Sequence, residues 1–431
     1  MVGVADSESQ ARHRRCASGI VHVLPSLDDP RLALYPMEKR KEIIRMLKTQ
    51  KRDPDMMIKE PMAITTRVAP SFMRIGHVDL FARRAQQAAM ENRFDDLEYE
   101  QLEQIIWHSA FREFYKEAYL PFKEANDIKG CLKAILHHSA VNLAKMVSGW
   151  IRVGFCQGNF NADNCLIAGR TMDYGPFGFM DEYNPLFAKW TGSNEHFAFI
   201  NQPSAAYANY IVLVESMLQV LRRDDDAVNR DVDHLQQTLS EDAKKIFRDE
   251  LDAVWSAKLG FDSHAPVVNV LWGTLEPLLR ESRADWTMFW RQLTYVARDF
   301  DLESIEYEKM IANLVGNHHS LSSPFYQHLT PEINQRFTSW MREWREALRA
   351  APSSNTLPEE TMRLANPKYT LREWMLVDAY NDAAVGLEDK IILLNELIQK
   401  PYDEGKKEWQ QMYYRQAVEE DLVKGGTAFM S

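Results

Sequence analysis

The polar residues of one Gly-, Asn- and Asp-rich segment have the types and spacing to bind a hard cation. The segment, residues 159–183, interrupts the helical pattern around it, and short apolar pieces flank its centre at Ala168-Gly169. This pattern predicts a tight β-hairpin. With the turn centred on Ala168-Gly169, we expect Asn164 and Asp173 to lie directly opposite each other, with Cβ atoms about 4.5–5.5 Å apart.

That pair of side chains has the chemistry of a magnesium site. The amide oxygen of Asn164 and the carboxylate of Asp173 can share one Mg²⁺, an ion that takes few protein oxygens and completes its shell with water and substrate phosphates. Asp163 then points elsewhere and is free to act as a base. The alternative is that these Asx and Gly residues only form turn hydrogen bonds and bind nothing.

Several sequence blocks in and around this segment resemble the selenoprotein O family. In chain order they are TRVAPSFMRIG at 66–76, NADN at 161–164, DYGPFGFMD at 173–181, NQP at 201–203 and NPKY at 366–369. The family usually reads TRVAPSxxRxG in the first block and NTDN in the second, and it shares the DYGPFGFMD string. The resemblance covers about residues 52–431.

The resemblance implies an enzyme that transfers AMP, rather than phosphate, from ATP to Ser, Thr or Tyr hydroxyls of other proteins. By the family pattern Asp163 is the catalytic base, while Asn164 and Asp173 hold Mg²⁺, for which Mn²⁺ can substitute. Arg67 and Arg74 correspond to the two arginines that contact the ATP phosphates, a task that suits the planar, permanently charged guanidinium. The alternative for both arginines is a surface ion pair.

Apolar residues recur at helical spacing along most of the chain. We therefore expect helices at 38–51, 97–125, 129–153, 204–222, 239–258, 275–297, 302–315, 331–349 and 370–399. The predicted fold class is α-dominated α+β. By resemblance it is a protein-kinase-like C-lobe with a short catalytic β-hairpin and an additional C-terminal helical region. The predicted domains are an unmatched N-terminal segment at 1–51, the kinase-like C-lobe at 52–330 and the helical region at 331–431.

The front of the chain departs from the family pattern. Family members carry an N-terminal lobe before the TRVAPS block, with nucleotide-covering strands and a phosphate-binding lysine. The match here starts at Arg52, and the preceding residues contain neither a Gly-rich loop nor a strand-borne lysine. We therefore expect most of that lobe to be missing. This leaves two further interpretations open, a non-catalytic pseudokinase-like interaction module and phosphoryl transfer at the same metal site.

Composition narrows the choice of partners. The chain has 431 residues, with 51 Lys and Arg against 62 Asp and Glu and a net charge of −11, which does not favour nucleic-acid binding. No apolar stretch reaches the roughly 18 residues of a membrane span. The expected partners are ATP and protein substrates, with no nucleic acid and no membrane. The resemblance implies a mitochondrial location, with the cytoplasm as the alternative. It also suggests a selenocysteine after Ser431, with a natural chain end that lacks this residue as the alternative.

Overall fold

A computed structural model gives the structure of the chain. It describes residues 41, 64, 66, 68–94, 97–172, 178–188, 195–262, 265–301, 304–316, 322–351, 356–418 and 420–421. The chain divides into two compact units, Met1–Pro70 and Ser71–Ser431. Apart from Lys41, the helix predicted at 38–51 lies outside the described residues, as does the chain end after 421. The helices and strands with known bounds belong to the second unit.

The second unit consists mostly of α-helices. They are α1 (Ile75–Met90), α2 (Leu97–Glu113), α3 (Leu120–Lys123), α4 (Ile128–Val153), α5 (Gln202–Leu218), α6 (Asp226–Lys258), α7 (Pro266–Glu281), α8 (Trp286–Ala297), α9 (Ser304–Gly316), α10 (Pro331–Ala350), α11 (Pro358–Ala365), α12 (Glu373–Ala384), α13 (Asp389–Gln399) and α14 (Lys407–Tyr413). This confirms the predicted α-dominated class. The kinase-like arrangement and the domain boundaries at 51 and 330 stay predictions.

Helix α4 is the central support of the candidate site. Its start is capped by the Asp127 carboxylate, which accepts a hydrogen bond from the Gly130 N–H at 2.8 Å. It ends at Gly154, whose φ of 76° lies in the left-handed region that glycine adopts without strain. Helices α1, α5 and α6 pack with it around one apolar cluster. The segment that follows Gly154 therefore starts from a fixed point above this core.

Several helices differ from their predicted bounds. The stretch expected at 275–297 is divided into α7 and α8, because Arg283 has a φ of 50° and the Asp285 carboxylate caps the new helix. The stretch expected at 370–399 is divided at Gly386, which has a φ of 83°. Helix α1 was not predicted, since its buried face is largely alanine and gives a weak apolar signal. Helices α11 and α14 were also missed, and α6 begins earlier than predicted.

The described sheet is small and antiparallel. Strand β1 (Phe155–Cys156) pairs with strand β2 (Gly178–Phe179). Between them, Cys165 bridges Thr171, and the Gly169 N–H donates to the Leu166 carbonyl at 3.0 Å. Gly169 has a φ of 63°.

This geometry corrects the predicted hairpin register. A two-residue turn on Ala168-Gly169 would pair Cys165 with Met172, whereas the chain pairs it with Thr171. The left-handed glycine adds one residue to the turn, which shifts the register. The predicted register, from which Asn164 and Asp173 were expected to lie directly opposite each other, was therefore wrong. Their assignment as magnesium ligands, which rests on the resemblance, stays a prediction.

Buried apolar side chains form three clusters. The first lies among α1, α2, α4, α5 and α6, beneath the hairpin. The second is rich in tryptophan and joins α6 to α10, and the third lies among α12, α13 and α14. Of the helices that the structure describes, none combines the length and the apolar character that crossing a bilayer requires.

Candidate active site

The loop after β1 carries two of the predicted site residues. Ala162–Asn164 form a single 3₁₀ turn, and the Asn161 side chain caps it by accepting a hydrogen bond from the Asp163 N–H at 3.0 Å. The Asp163 side chain is exposed. The backbone of Asp163 is thus fixed while its carboxylate stays accessible to a substrate.

Two buried amides on α5 hold this loop from below. Gln202 is fully buried; its Oε1 accepts from the Gln157 N–H at 2.9 Å and its Nε2 donates to the Phe155 carbonyl at 2.8 Å. Asn209 donates to the Phe160 carbonyl at 2.9 Å. Backbone groups of a loop cannot be buried without such partners. Gln202 belongs to the NQP block, and no role was predicted for it from the sequence.

The Asn164 side chain is oriented in a way that suits a metal ligand. Its Nδ2 donates to the Asn159 carbonyl at 2.8 Å, which directs the amide nitrogen into the loop and leaves Oδ1 as an acceptor. An amide oxygen beside a carboxylate is the donor type that Mg²⁺ prefers. Asp173 lies in 173–177, outside the described residues. Within the described part of the chain, no three His, Cys, Asp or Glu side chains converge on a common point.

The segment that carries Arg74 runs beside the hairpin. Arg74 bridges Leu166 in antiparallel register, the Ile75 N–H donates to the Cys165 carbonyl at 2.9 Å, and the Ile167 N–H donates to the Met73 carbonyl at 3.1 Å. This pairing brings together residues that are about 90 positions apart in sequence. It places the start of α1 against the proposed catalytic loop.

Arg74 reaches the proposed base directly. Its Nη1 donates to the backbone carbonyl of Asp163 at 3.3 Å. Among the described residues no carboxylate lies within ion-pair distance of its guanidinium, so the alternative of a surface ion pair finds no partner there. Arg67, the second predicted phosphate contact, lies outside the described residues. The structure therefore brings together Arg74, Asp163 and Asn164 of the five predicted site residues.

Gly76 leaves room for the Asp163 side chain. A Cβ built on Gly76 would lie 2.3 Å from Asp163 Oδ1, closer than real Cβ contacts allow. Gly76 stands in the first turn of α1, where backbone N–H groups favour a nearby anion. This glycine is the last residue of the TRVAPSxxRxG block, and no role was predicted for it from the sequence.

His77 is a site residue that the sequence analysis missed. Its Nε2 lies 2.9 Å from Arg74 Nη2, and its Nδ1 lies 3.2 Å from the Arg74 backbone nitrogen. Burial lowers the pKa of His77, and the positive charge of Arg74 lowers this pKa further, against the opposing effect of Asp163. The lowered pKa favours the neutral ring beside the guanidinium. Only its spacing of three residues from Arg74 hinted at the contact.

A buried ion cluster anchors Asp181, which lies two residues after the end of β2. Arg372 Nη1 lies 3.1 Å from Asp181 Oδ1 and 2.7 Å from Asp285 Oδ2, and its Nη2 lies 2.8 Å from Asp285 Oδ1. Desolvation raises the pKa of Asp181 to about 6, although Arg372 opposes the rise. Asp181 ends the DYGPFGFMD block, so this cluster fixes the end of the block that begins with Asp173.

Residues 43–413 match the family described as protein adenylyltransferase SelO. The chain is 28% identical over 354 residues to the protein nucleotidyltransferase YdiU of Ralstonia nicotianae, and the alignment covers 80% of this chain and 60% of that protein. The chain is 29% identical over 357 residues to the protein nucleotidyltransferase YdiU of Flavobacterium johnsoniae, and this alignment covers 80% of this chain and 59% of that protein. The chain spans about three fifths of the length of these relatives.

Proposed function

The chain belongs to the protein adenylyltransferase SelO family, as its motifs predicted, and on this premise we propose that its site transfers AMP from ATP to Ser, Thr or Tyr hydroxyls of other proteins. The observation that carries the proposal is the convergence of Arg74, Asp163 and Asn164. An accessible carboxylate lies beside an arginine that has no acidic partner among the described residues and an amide whose oxygen is left as an acceptor.

The proposed reaction assigns the carboxylate the role of general base. Asp163 takes the proton of the acceptor hydroxyl as its oxygen bonds to the α-phosphorus of ATP. The bond from that phosphorus to the bridging oxygen breaks, and pyrophosphate leaves with the electron pair. Arg74, together with Arg67, binds the phosphates through bidentate hydrogen bonds. Because backbone and amide contacts fix the loop before substrate arrives, little reorganisation is needed in the transition state.

Asn164 and Asp173 are the residues proposed to hold the metal. The Oδ1 of Asn164, which accepts no hydrogen bond from the described residues, fits an oxygen-coordinated cation. When bound, Mg²⁺ or Mn²⁺ neutralises phosphate charge and orients the nucleotide. The contribution of this chain is to keep the amide oxygen directed outward through the bond to Asn159.

The proposal is tested by mass spectrometry of proteins incubated with the chain, ATP and Mg²⁺. AMP addition is expected with the wild type, and Asp163→Ala should slow it by about 10²–10⁴-fold while nucleotide affinity stays nearly constant. Asp224→Ala, which removes an exposed carboxylate from a different loop, the one before α6, is the matched control and should not change the rate.

The other outcomes distinguish the alternatives. Added phosphate in place of AMP would indicate phosphoryl transfer at the same site. An absence of any modification, with nucleotide binding also absent, would favour the interaction module. A rate that is equal in Asp163→Ala and the wild type would refute the assignment of the base.

A further inference from the structure

Neutral groups, rather than an acid, hold the Arg74 guanidinium. Its Nη2 lies 2.9 Å from His77 Nε2, and its Nη1 donates to the Asp163 carbonyl at 3.3 Å. Its Nε is buried and has no acceptor among the described residues. A carboxylate in these positions would neutralise the arginine. Neutral acceptors fix its orientation and leave its full charge, with one further N–H on each Nη, for an anion.

His77 is itself fixed in place by the start of α1. It stands three residues after Arg74, so both side chains lie on the same side of the first turn. The preceding residue, Gly76, abuts the Asp163 carboxylate. The ring is partly buried, and both of its nitrogens face Arg74. Its freedom to rotate is therefore small.

We propose that His77 is a positioning residue, which holds the Arg74 guanidinium in the orientation that contacts a nucleotide phosphate; this inference rests on the proposed function.

The chemistry of imidazole explains why a neutral histidine suits this task. Neutral imidazole has one acceptor nitrogen, and the two Arg74 groups that face the ring are both donors, so the ring accepts from only one of them. The guanidinium is the stronger donor because it is charged, which assigns the acceptor to Nε2 and the proton to Nδ1. Without the ring, the long arginine side chain would sample several rotamers and would have to be ordered each time a nucleotide binds. The lowered pKa of His77 agrees with this role, because an imidazolium would repel the guanidinium.

The test replaces His77 by an amide residue, Gln or Asn, whose side-chain oxygen takes the place of one of the two ring nitrogens. In His77→Gln the amide oxygen reaches about where Nε2 lies, so the contact with the guanidinium is kept. In His77→Asn the oxygen lies about where Nδ1 was, so it faces the Arg74 backbone N–H and does not reach the guanidinium. His77→Ala removes both contacts. His137→Ala, at an exposed position on α4, is the control.

Calorimetric titration with Mg-ATP gives the readout. We expect His77→Gln to bind like the wild type, and His77→Asn and His77→Ala to bind about 5–10-fold more weakly. In the Arg74→Ala background, His77→Ala should have no further effect, because the histidine acts through that arginine. Melting temperatures of all variants show whether any loss of affinity is a loss of folding.

The outcomes separate this inference from the proposed function. If Arg74→Ala weakens binding but His77→Ala does not, the positioning role is wrong and the arginine assignment stands. The role is also overturned if His77→Asn binds normally and His77→Gln does not, or if His77→Ala weakens binding equally in the Arg74→Ala background. If Arg74→Ala has no effect, or if the wild-type chain binds no nucleotide, the arginine assignment and the inference both fail.

Discussion

Gly76→Ala provides a sharp test of the geometry at the proposed base. The added Cβ would meet Asp163 Oδ1 at 2.3 Å, whereas real Cβ contacts essentially never fall below 3.0 Å. The carboxylate must therefore move by roughly 1 Å. Since the Asp163 side chain is exposed, rotation of the side chain away from α1 relieves the overlap without unfolding the loop.

The two consequences of this substitution have opposite signs. Misplacing a reacting group by about 1 Å can cost about 10²-fold in rate, so we expect kcat for AMP transfer to fall by that order. Stability should stay nearly constant or rise, because replacing glycine by alanine inside a helix contributes up to about 1 kcal/mol. A large loss of rate without a loss of stability would identify Gly76 as a residue that makes room for the base.

The assay compares kcat, Mg-ATP affinity and melting temperature with those of a matched glycine variant. Gly149→Ala, inside α4 about one turn before its C-terminal end, adds a Cβ that has no neighbour within 4 Å, so it should leave all three quantities unchanged or raise the melting temperature slightly. Full activity of Gly76→Ala would refute the claim that the Asp163 position matters. A fall in melting temperature comparable to the fall in activity would show that the glycine is structural.

Three further predictions concern the groups around the site. Arg372→Met should lower the free energy of unfolding, measured with urea, by about 3–5 kcal/mol, because Asp181 and the fully buried Asp285 lose their cation. The pKa of Asp181, raised to about 6, means that its contribution to stability is present below its ordinary pKa and is lost as pH rises through about 6. Wild-type stability should therefore fall relative to Asp181→Asn between about pH 4 and 6, and a constant difference would contradict this. Gln202→Leu should cost about 1–3 kcal/mol because the Gln157 N–H loses its acceptor, and it should slow AMP transfer, while equal rates would show that the loop keeps its shape unaided.

Short-range features of the site could be predicted from the sequence. The NADN string and the break in helical periodicity located Asp163 and Asn164 on a loop, as the structure has them. The same local reasoning gave the wrong hairpin register, because residue types do not reveal whether Gly169 forms the second position of a two-residue turn or an added left-handed residue. Single backbone angles of this kind also decided where the predicted helices were divided, as at Arg283.

Contacts between distant residues could not be predicted without the fold. Gln202 supports Gln157 across 45 positions, and Arg372 meets Asp181 across 191 positions. Each of these polar residues, seen alone, is as compatible with a solvated surface as with a buried network. The resemblance identified the blocks that contain Gln202 and Asp181, but the reason for each residue type is seen only from its partner in the fold.

The backbone pairing between Met73–Ile75 and the hairpin explains how the site combines an accessible base with fixed geometry. Two main-chain hydrogen bonds tie this segment to Cys165 and Ile167, so the phosphate-binding candidate Arg74 and the proposed base share one rigid frame. The backbone of Asp163 is fixed by the cap from Asn161, and the close approach of Gly76 limits where the exposed carboxylate can lie. Among the described residues no hydrogen bond to the Asp163 carboxylate is present, so its oxygens stay available to a substrate proton if this residue is the base. Substitutions at Gly76, His77 and Gln202 should therefore affect the reaction although none of them is proposed to contact the transferred group.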